Sequence, residues 1–134
     1  VIRRSAIPPG SRRLQARCQS LVETALVIPI LLLILFGIVD FGRIFHAYLT
    51  LDHAGREAAR VATVGAEDGV IGAKILSATS TLTNSVTYSI SPGTRKSGDE
   101  ATITITYPVD FLTPIIGQII GTFNIENKTV MRVE

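Results

Sequence analysis

The chain has 134 residues, of which 46% are hydrophobic, with a net charge of +2 and one cysteine. This length supports one small domain with an appendage, and one cysteine excludes an intramolecular disulfide. The charge is unevenly placed, since residues 1–18 hold five arginines and no acid. A nucleic-acid-binding arm is disfavoured, because this basic segment has no aromatic residues and adjoins an apolar run.

Residues 1–18 are predicted to be a basic leader peptide that is removed from the mature chain. Its basic residues are Arg3, Arg4, Arg12, Arg13 and Arg17. Positive charge before an apolar segment favours keeping that end in the cytoplasm, so the C-terminal part is expected outside. No Ala-x-Ala spacing follows the apolar segment, so we do not expect the segment itself to be a cleaved secretory signal.

Residues 21–39 are predicted to form a transmembrane helix. These 19 residues include one charged residue, Glu23. As a helix they span about 28 Å, close to the roughly 30 Å of the hydrocarbon core. Pro29 removes one backbone hydrogen bond and is predicted to kink the helix, which membrane helices tolerate. Asp40 and Arg43 are predicted to mark the membrane boundary.

The helix is predicted to continue to about residue 64, with Gly65 as the residue that ends it. Residues predicted to share one helix face recur at steps of three and four positions. They are Ile44, Tyr48, Leu51, Gly55, Ala58 and Ala62. We divide the chain into the leader, an assembly helix over residues 19–42, and an extracytoplasmic module over residues 43–134 that includes the helix continuation to about residue 65.

The rest of the chain changes from a helical period to a period of two. A short helix is predicted within residues 67–82, strands over 85–90, 99–109 and 122–133, and an apolar connection with one helical turn over 111–121. In the second strand, Ala101, Ile103, Ile105 and Tyr107 share one face. A three-stranded antiparallel sheet needs another element packed on its apolar face. We therefore predict an α+β fold in which the long helix continues into a stalk packed on this sheet.

Motifs for catalysis or cofactor binding are not found. Residues 65–72 are glycine-rich but follow a helix and lack the Gly-Lys-Ser/Thr of a phosphate loop. Asp99 and Glu100 are adjacent, so in a strand they point to opposite faces. His46 and His53 lie seven residues apart without a third histidine, which argues against a metal site. We predict no enzyme, no cofactor and no metal.

Glu23 is a carboxylate in a segment that otherwise favours lipid. At mid-membrane such a charge costs about 2.5–3.5 kcal/mol, and less near the helix end. One interpretation is that Glu23 reaches the interface and is solvated there. Another is that cleavage between Cys18 and Gln19 creates an α-amino group that pairs with Glu23 of a neighbouring subunit and sets the register of the two helices.

These features together resemble a type IV pilin precursor, and the stretch SLVETALVIPILLLILFGIVDFGR resembles the TadE-like family of tight-adherence pili. The shared features are the Val-Glu pair, Ala-Leu, the proline, the Leu-rich run and Asp-Phe-Gly-Arg, in that order. The resemblance covers about residues 18–65. Two positions differ: Cys18 stands where the family has Gly, and Thr24 where it commonly has Phe. We predict that the Thr24 hydroxyl bonds back to the helix backbone.

The resemblance implies a minor pilin or pseudopilin that passes once through the inner membrane, with a cytoplasmic N-terminus. Its implied partners are the membrane, a prepilin peptidase, other pilin subunits and the pilus assembly platform, with incorporation in a pilus for adhesion or secretion. It implies a peptidase substrate that is not itself an enzyme. Two alternatives stay open: an uncleaved, signal-anchored envelope binding protein, and the main structural pilin of a filament.

Overall fold

The computed structural model describes the backbone of residues 9–134 and the side chains of residues 18–134. Its elements are α1 (Pro9–Thr63), α2 (Asp68–Ala78), β1 (Thr87–Ser91), β2 (Glu100–Val109), α3 (Pro114–Ile120) and β3 (Phe123–Arg132). The chain divides into two compact units after Ile38. The five arginine side chains of the predicted leader lie outside the described side chains, and removal of the leader stays a prediction.

In the first unit, helix α1 carries its apolar side chains uncovered. Every large apolar side chain of residues 21–39 is exposed, from 36% at Phe36 to 70% at Leu26. The helix is long and apolar enough to cross a membrane, and none of its apolar window is buried within the protein. The Thr24 hydroxyl donates to the Ser20 carbonyl oxygen at 2.9 Å, which confirms the predicted back-bond.

The predicted start of the helix at about residue 21 was wrong, because α1 already begins at Pro9. Proline is favoured in the first turn, where its missing N–H has no helical partner to lose. The residues that follow include Leu14, Gln15 and Ala16, which have good helix propensity. The predicted end was close: α1 ends at Thr63, and Gly65 has the positive φ of 75° expected of a C′ glycine.

In the second unit, one face of α1 is buried in the core. The face consists of Ala47, Leu51, Ala54, Ala58, Ala59 and Ala62, all at most 2% exposed. Tyr48, which was predicted to lie on this face, is 51% exposed, because the buried line passes through Ala47 instead. Small side chains let α1 approach the sheet closely: a Cβ on Gly55 would lie 2.5 Å from Thr129 Oγ1.

The sheet is antiparallel, as predicted, and its strand order is β1-β2-β3. In β2 the predicted alternation is confirmed, since Ala101, Ile103, Ile105 and Tyr107 are buried and the threonines between them are half-buried. Helix α2 completes the core through Ile71 and Ile75, which belong to the same buried cluster. The protein therefore has the predicted α+β fold, with a long N-terminal helix and a three-stranded sheet.

Candidate functional site

The residues of the predicted processing junction lie on the open surface of α1. Cys18 is an exposed free cysteine, and Gln19 and Glu23 are exposed as well. Together with Val22 and Leu26 these side chains line one shallow depression of the helix surface. Gln19 and Glu23 are one helical turn apart on the same side. The junction and the carboxylate are therefore both presented to whatever surrounds the helix.

Pro29 lies inside α1, and the helix continues on both sides of it. Pro29 and the residues that follow it are exposed, like the rest of the apolar run. The missing N–H of proline leaves one carbonyl of the preceding turn without its helical donor. The predicted kink stays a prediction.

Asp40, the first residue after the apolar run, is 4% exposed and accepts three hydrogen bonds from one loop. The Leu112 N–H donates to Oδ1 at 2.8 Å, and the Thr113 N–H donates to Oδ2 at 2.8 Å. The Thr113 hydroxyl donates to the same Oδ2 at 2.6 Å. An ionised carboxylate is an acceptor only, and such charge-assisted bonds are stronger than neutral ones. Asp40 therefore fastens this loop to α1.

Arg43 extends the attachment from the next turn of the same helix. Its Nη1 donates to the Asp110 carbonyl oxygen at 3.3 Å and lies 3.9 Å from Asp40 Oδ1. On the other side, Asn84 Nδ2 donates to Asp110 Oδ2 at 3.1 Å and to the Pro108 carbonyl oxygen at 2.9 Å. We call Asp40, Arg43, Asn84, Asp110 and Thr113 the Asp40 network. It ties α1 to the end of β2, to the loop before α3 and to the segment after α2.

The Asp40 network joins two residues that the sequence singled out to three that it did not. Asp40 and Arg43 were noted as the acid and base that follow the apolar run, and their position at the membrane boundary stays a prediction. Thr113 followed by Pro114 is a recognisable helix start, with an N-cap residue and proline at N1. The contact between Thr113 and Asp40, however, joins residues 73 positions apart, and no local sequence pattern predicts such a contact.

Potential metal ligands do not come together in the part of the chain that the structure describes. Within residues 18–134, His, Cys, Asp and Glu side chains form no group of three that could hold a metal ion. His46 and His53 are both exposed on α1.

Comparison with known proteins identifies one part of the chain. Residues 19–60 match the family model described as TadE-like protein. No significant match was found among curated proteins or among solved structures. The matched segment holds Glu23, the apolar run, Asp40 and Arg43, and most of the buried alanine face of α1. Residues 19–60 are therefore similar to the TadE-like family, as the sequence pattern predicted.

Proposed function

We propose that the chain is a minor pilin or pseudopilin of a tight-adherence pilus. It is inserted once in the inner membrane through residues 21–39 and is cut between Cys18 and Gln19 by a prepilin peptidase. One observation carries the proposal: the segment similar to the TadE-like family contains an apolar run whose large side chains are all uncovered. Such a surface needs lipid or other apolar helices around it, because water does not solvate it favourably.

The hydrophobic contribution to the free energy changes little when this run moves from lipid into a bundle of helices. Lipid tails are about as apolar as leucine, so no hydrophobic driving force separates the two environments. The same helix can therefore be stored in the bilayer and later packed among other subunits. Register and specificity must then come from packing detail and from polar groups, of which Glu23 is the charged one in the run.

Glu23 supplies a carboxylate close to the new chain end. Cleavage after Cys18 would leave a positively charged amine on Gln19, and we propose that it pairs with Glu23 of an adjacent subunit. Removing one partner of a buried ion pair costs about 3–5 kcal/mol, because the other charge stays buried without compensation. A subunit in the wrong register would carry the same penalty, so the pair selects one alignment.

Removal of residues 1–18 prepares the helix for this transfer. The leader carries five arginines, which favour retention of that end on the cytoplasmic side. Once they are removed, the apolar run is preceded by Gln19 and Ser20 only. The module of residues 43–134 stays outside and makes lateral or tip contacts. In this proposal the chain is the substrate of a peptidase and has no catalytic role.

The processing step is tested by the mass and N-terminal sequence of the protein recovered from cells. We expect a mature chain that starts at Gln19. Cys18→Gly should be cut at least as fast, because the family has glycine there, and Cys18→Lys should block cutting because the residue is no longer small. Recovery of the uncut chain with normal function would support the alternative of a signal-anchored binding protein.

The pairing step is tested by substitutions at Glu23. Glu23→Val and Glu23→Gln should leave membrane insertion intact and should strongly reduce the amount of chain in isolated pili. Glu23→Asp keeps the charge and should retain part of the assembly. Thr24→Val, at the neighbouring exposed position, is the matched control and should assemble normally. Normal assembly of the Glu23→Val variant would rule out the pairing role.

A further inference from the structure

The connection between β2 and β3 exposes an apolar surface that the folded module does not use. We call it the α3 patch; it consists of Leu112, Ile115, Ile119, Ile120 and Phe123, which are 46–78% exposed. Helix α3 has no buried residue, so these side chains add nothing to the core. The sequence from residue 111 to residue 125 contains no charged residue. A contiguous apolar surface of this kind marks a site of interaction.

The Asp40 network fixes where on α1 this patch begins. Asp40 binds the backbone N–H groups of Leu112 and Thr113, at 2.8 Å each, and Thr113 is the N-cap of α3. Asp40 is also the residue that directly follows the apolar run. If residues 21–39 span the bilayer, the start of the α3 patch is held at the level where α1 leaves the hydrocarbon core.

Aromatic side chains of α1 extend the α3 patch at the same level. Phe41, Phe45 and Tyr48 are 51–71% exposed and line a groove together with Phe123, with Glu126 as the charged residue of its lining. The rings of Phe41 and Phe45 are stacked, with centroids 6.5 Å apart. Phe45 lies only about 8 Å along the helix axis from Asp40. Interfacial helices bury their apolar faces roughly 5–10 Å into the headgroup and acyl boundary. The start of α3, Phe41 and Phe45 all lie within such a distance of Asp40 along the axis.

We propose that the α3 patch is a second membrane contact, in which α3 lies in the leaflet on the side of the module and inserts its isoleucines among the acyl chains beside α1. A lipid surface fits better than a protein partner because the patch begins at Asp40, the residue that directly follows the apolar run, and because residues 111–125 hold no charged group that would select a partner. Lys and Arg are absent from residues 111–127. Attachment should therefore not require anionic lipid.

The inference rests on the proposed insertion of α1, and the experiment separates the two. In a Cys18→Ala background, a single cysteine is placed at Ile119, Val64 or Leu31 of the full chain and labelled with an environment-sensitive fluorophore. Each protein is reconstituted in phosphatidylcholine vesicles and exposed to nitroxide-bearing lipids or to a water-soluble quencher. Val64 is the matched control, since it is 83% exposed against 78% for Ile119 and directly follows the end of α1 that is far from the apolar run.

We expect the lipid nitroxide to quench the probe at Ile119 several-fold more strongly than the probe at Val64, with the reverse order for the aqueous quencher. Adding anionic lipid or salt should not change this order. Quenching at Leu31 but not at Ile119 would overturn the inference and leave insertion standing. If the lipid nitroxide did not quench the probe at Leu31, the insertion of α1 itself would be contradicted. A probe at Ile119 that is shielded from both quenchers, and is released on dilution of the protein in lipid, would assign the α3 patch to a second copy instead.

Discussion

Two stretches of helix α1 each present an apolar surface, and these surfaces have opposite surroundings. Residues 21–39 carry leucine, isoleucine, valine and phenylalanine, and all of these are exposed. Residues 47–62 present alanine and one leucine, and that face is buried against the sheet and α2. The difference teaches that side-chain size, in addition to hydrophobicity, separates a helix surface made for lipid or other helices from one made for close packing within its own module.

The largest expected effect contrasts two leucines, one in each stretch. Leu51 is fully buried, so Leu51→Ala should destabilise the module by about 2–5 kcal/mol through lost contacts and a residual cavity. Leu31 is 62% exposed, and Leu31→Ala should change the stability of the module by no more than about 0.5 kcal/mol.

Urea unfolding of the full chain in nonionic detergent, followed by the fluorescence of its three tyrosines, measures both values. Equal losses of module stability in Leu51→Ala and Leu31→Ala would contradict the contrast between the two stretches. They would mean that the two stretches of α1 contribute alike to the stability of the module.

The reverse substitution sharpens the comparison. Ala58→Leu adds volume to a fully buried position and should destabilise the module by about 1–3 kcal/mol through overpacking. Ala25→Leu adds the same volume at an exposed position and should be neutral for the module. The same urea titration reports both variants. Tolerance of leucine at position 58 would contradict the close approach of α1 to the sheet.

The Asp40 network should matter less than the core but more than a surface ion pair. Asp40→Asn replaces one acceptor oxygen with an amide that cannot accept the Leu112 or Thr113 N–H, and should cost about 1–2 kcal/mol. The control is Asp52→Asn on the same helix. Asp52 makes a surface pair with Arg56 at 3.0 Å, and its loss should cost no more than about 0.5 kcal/mol.

Hydrogen–deuterium exchange of the peptide that covers residues 110–121 localises the effect of Asp40→Asn. About 1.4 kcal/mol corresponds to tenfold in an opening equilibrium. Protection of this peptide should therefore fall roughly tenfold in Asp40→Asn and stay unchanged in Asp52→Asn. Unchanged protection in both variants would remove the Asp40 network as the attachment of the loop before α3.

The features that were predictable from sequence are those with a local physical cause. The alternation of β2 follows from its two-residue period, and the end of α1 from the conformational freedom of Gly65. Tyr48 was misplaced because a three-and-four spacing fits two neighbouring lines on a helix, and only the sheet decides which one is buried. In the Asp40 network, the contact with Thr113 depends on how the chain folds back, which no short window contains.

The central claim is that residues 21–39 exchange lipid for neighbouring subunits, and photo-cross-linking tests it most directly. A photoreactive residue is placed at Ile34, which is 56% exposed. The account predicts lipid adducts in the membrane fraction and adducts with other subunits in isolated pili, on chains that begin at Gln19. Lipid adducts only, on uncut chains that never appear in the pilus fraction, would contradict it.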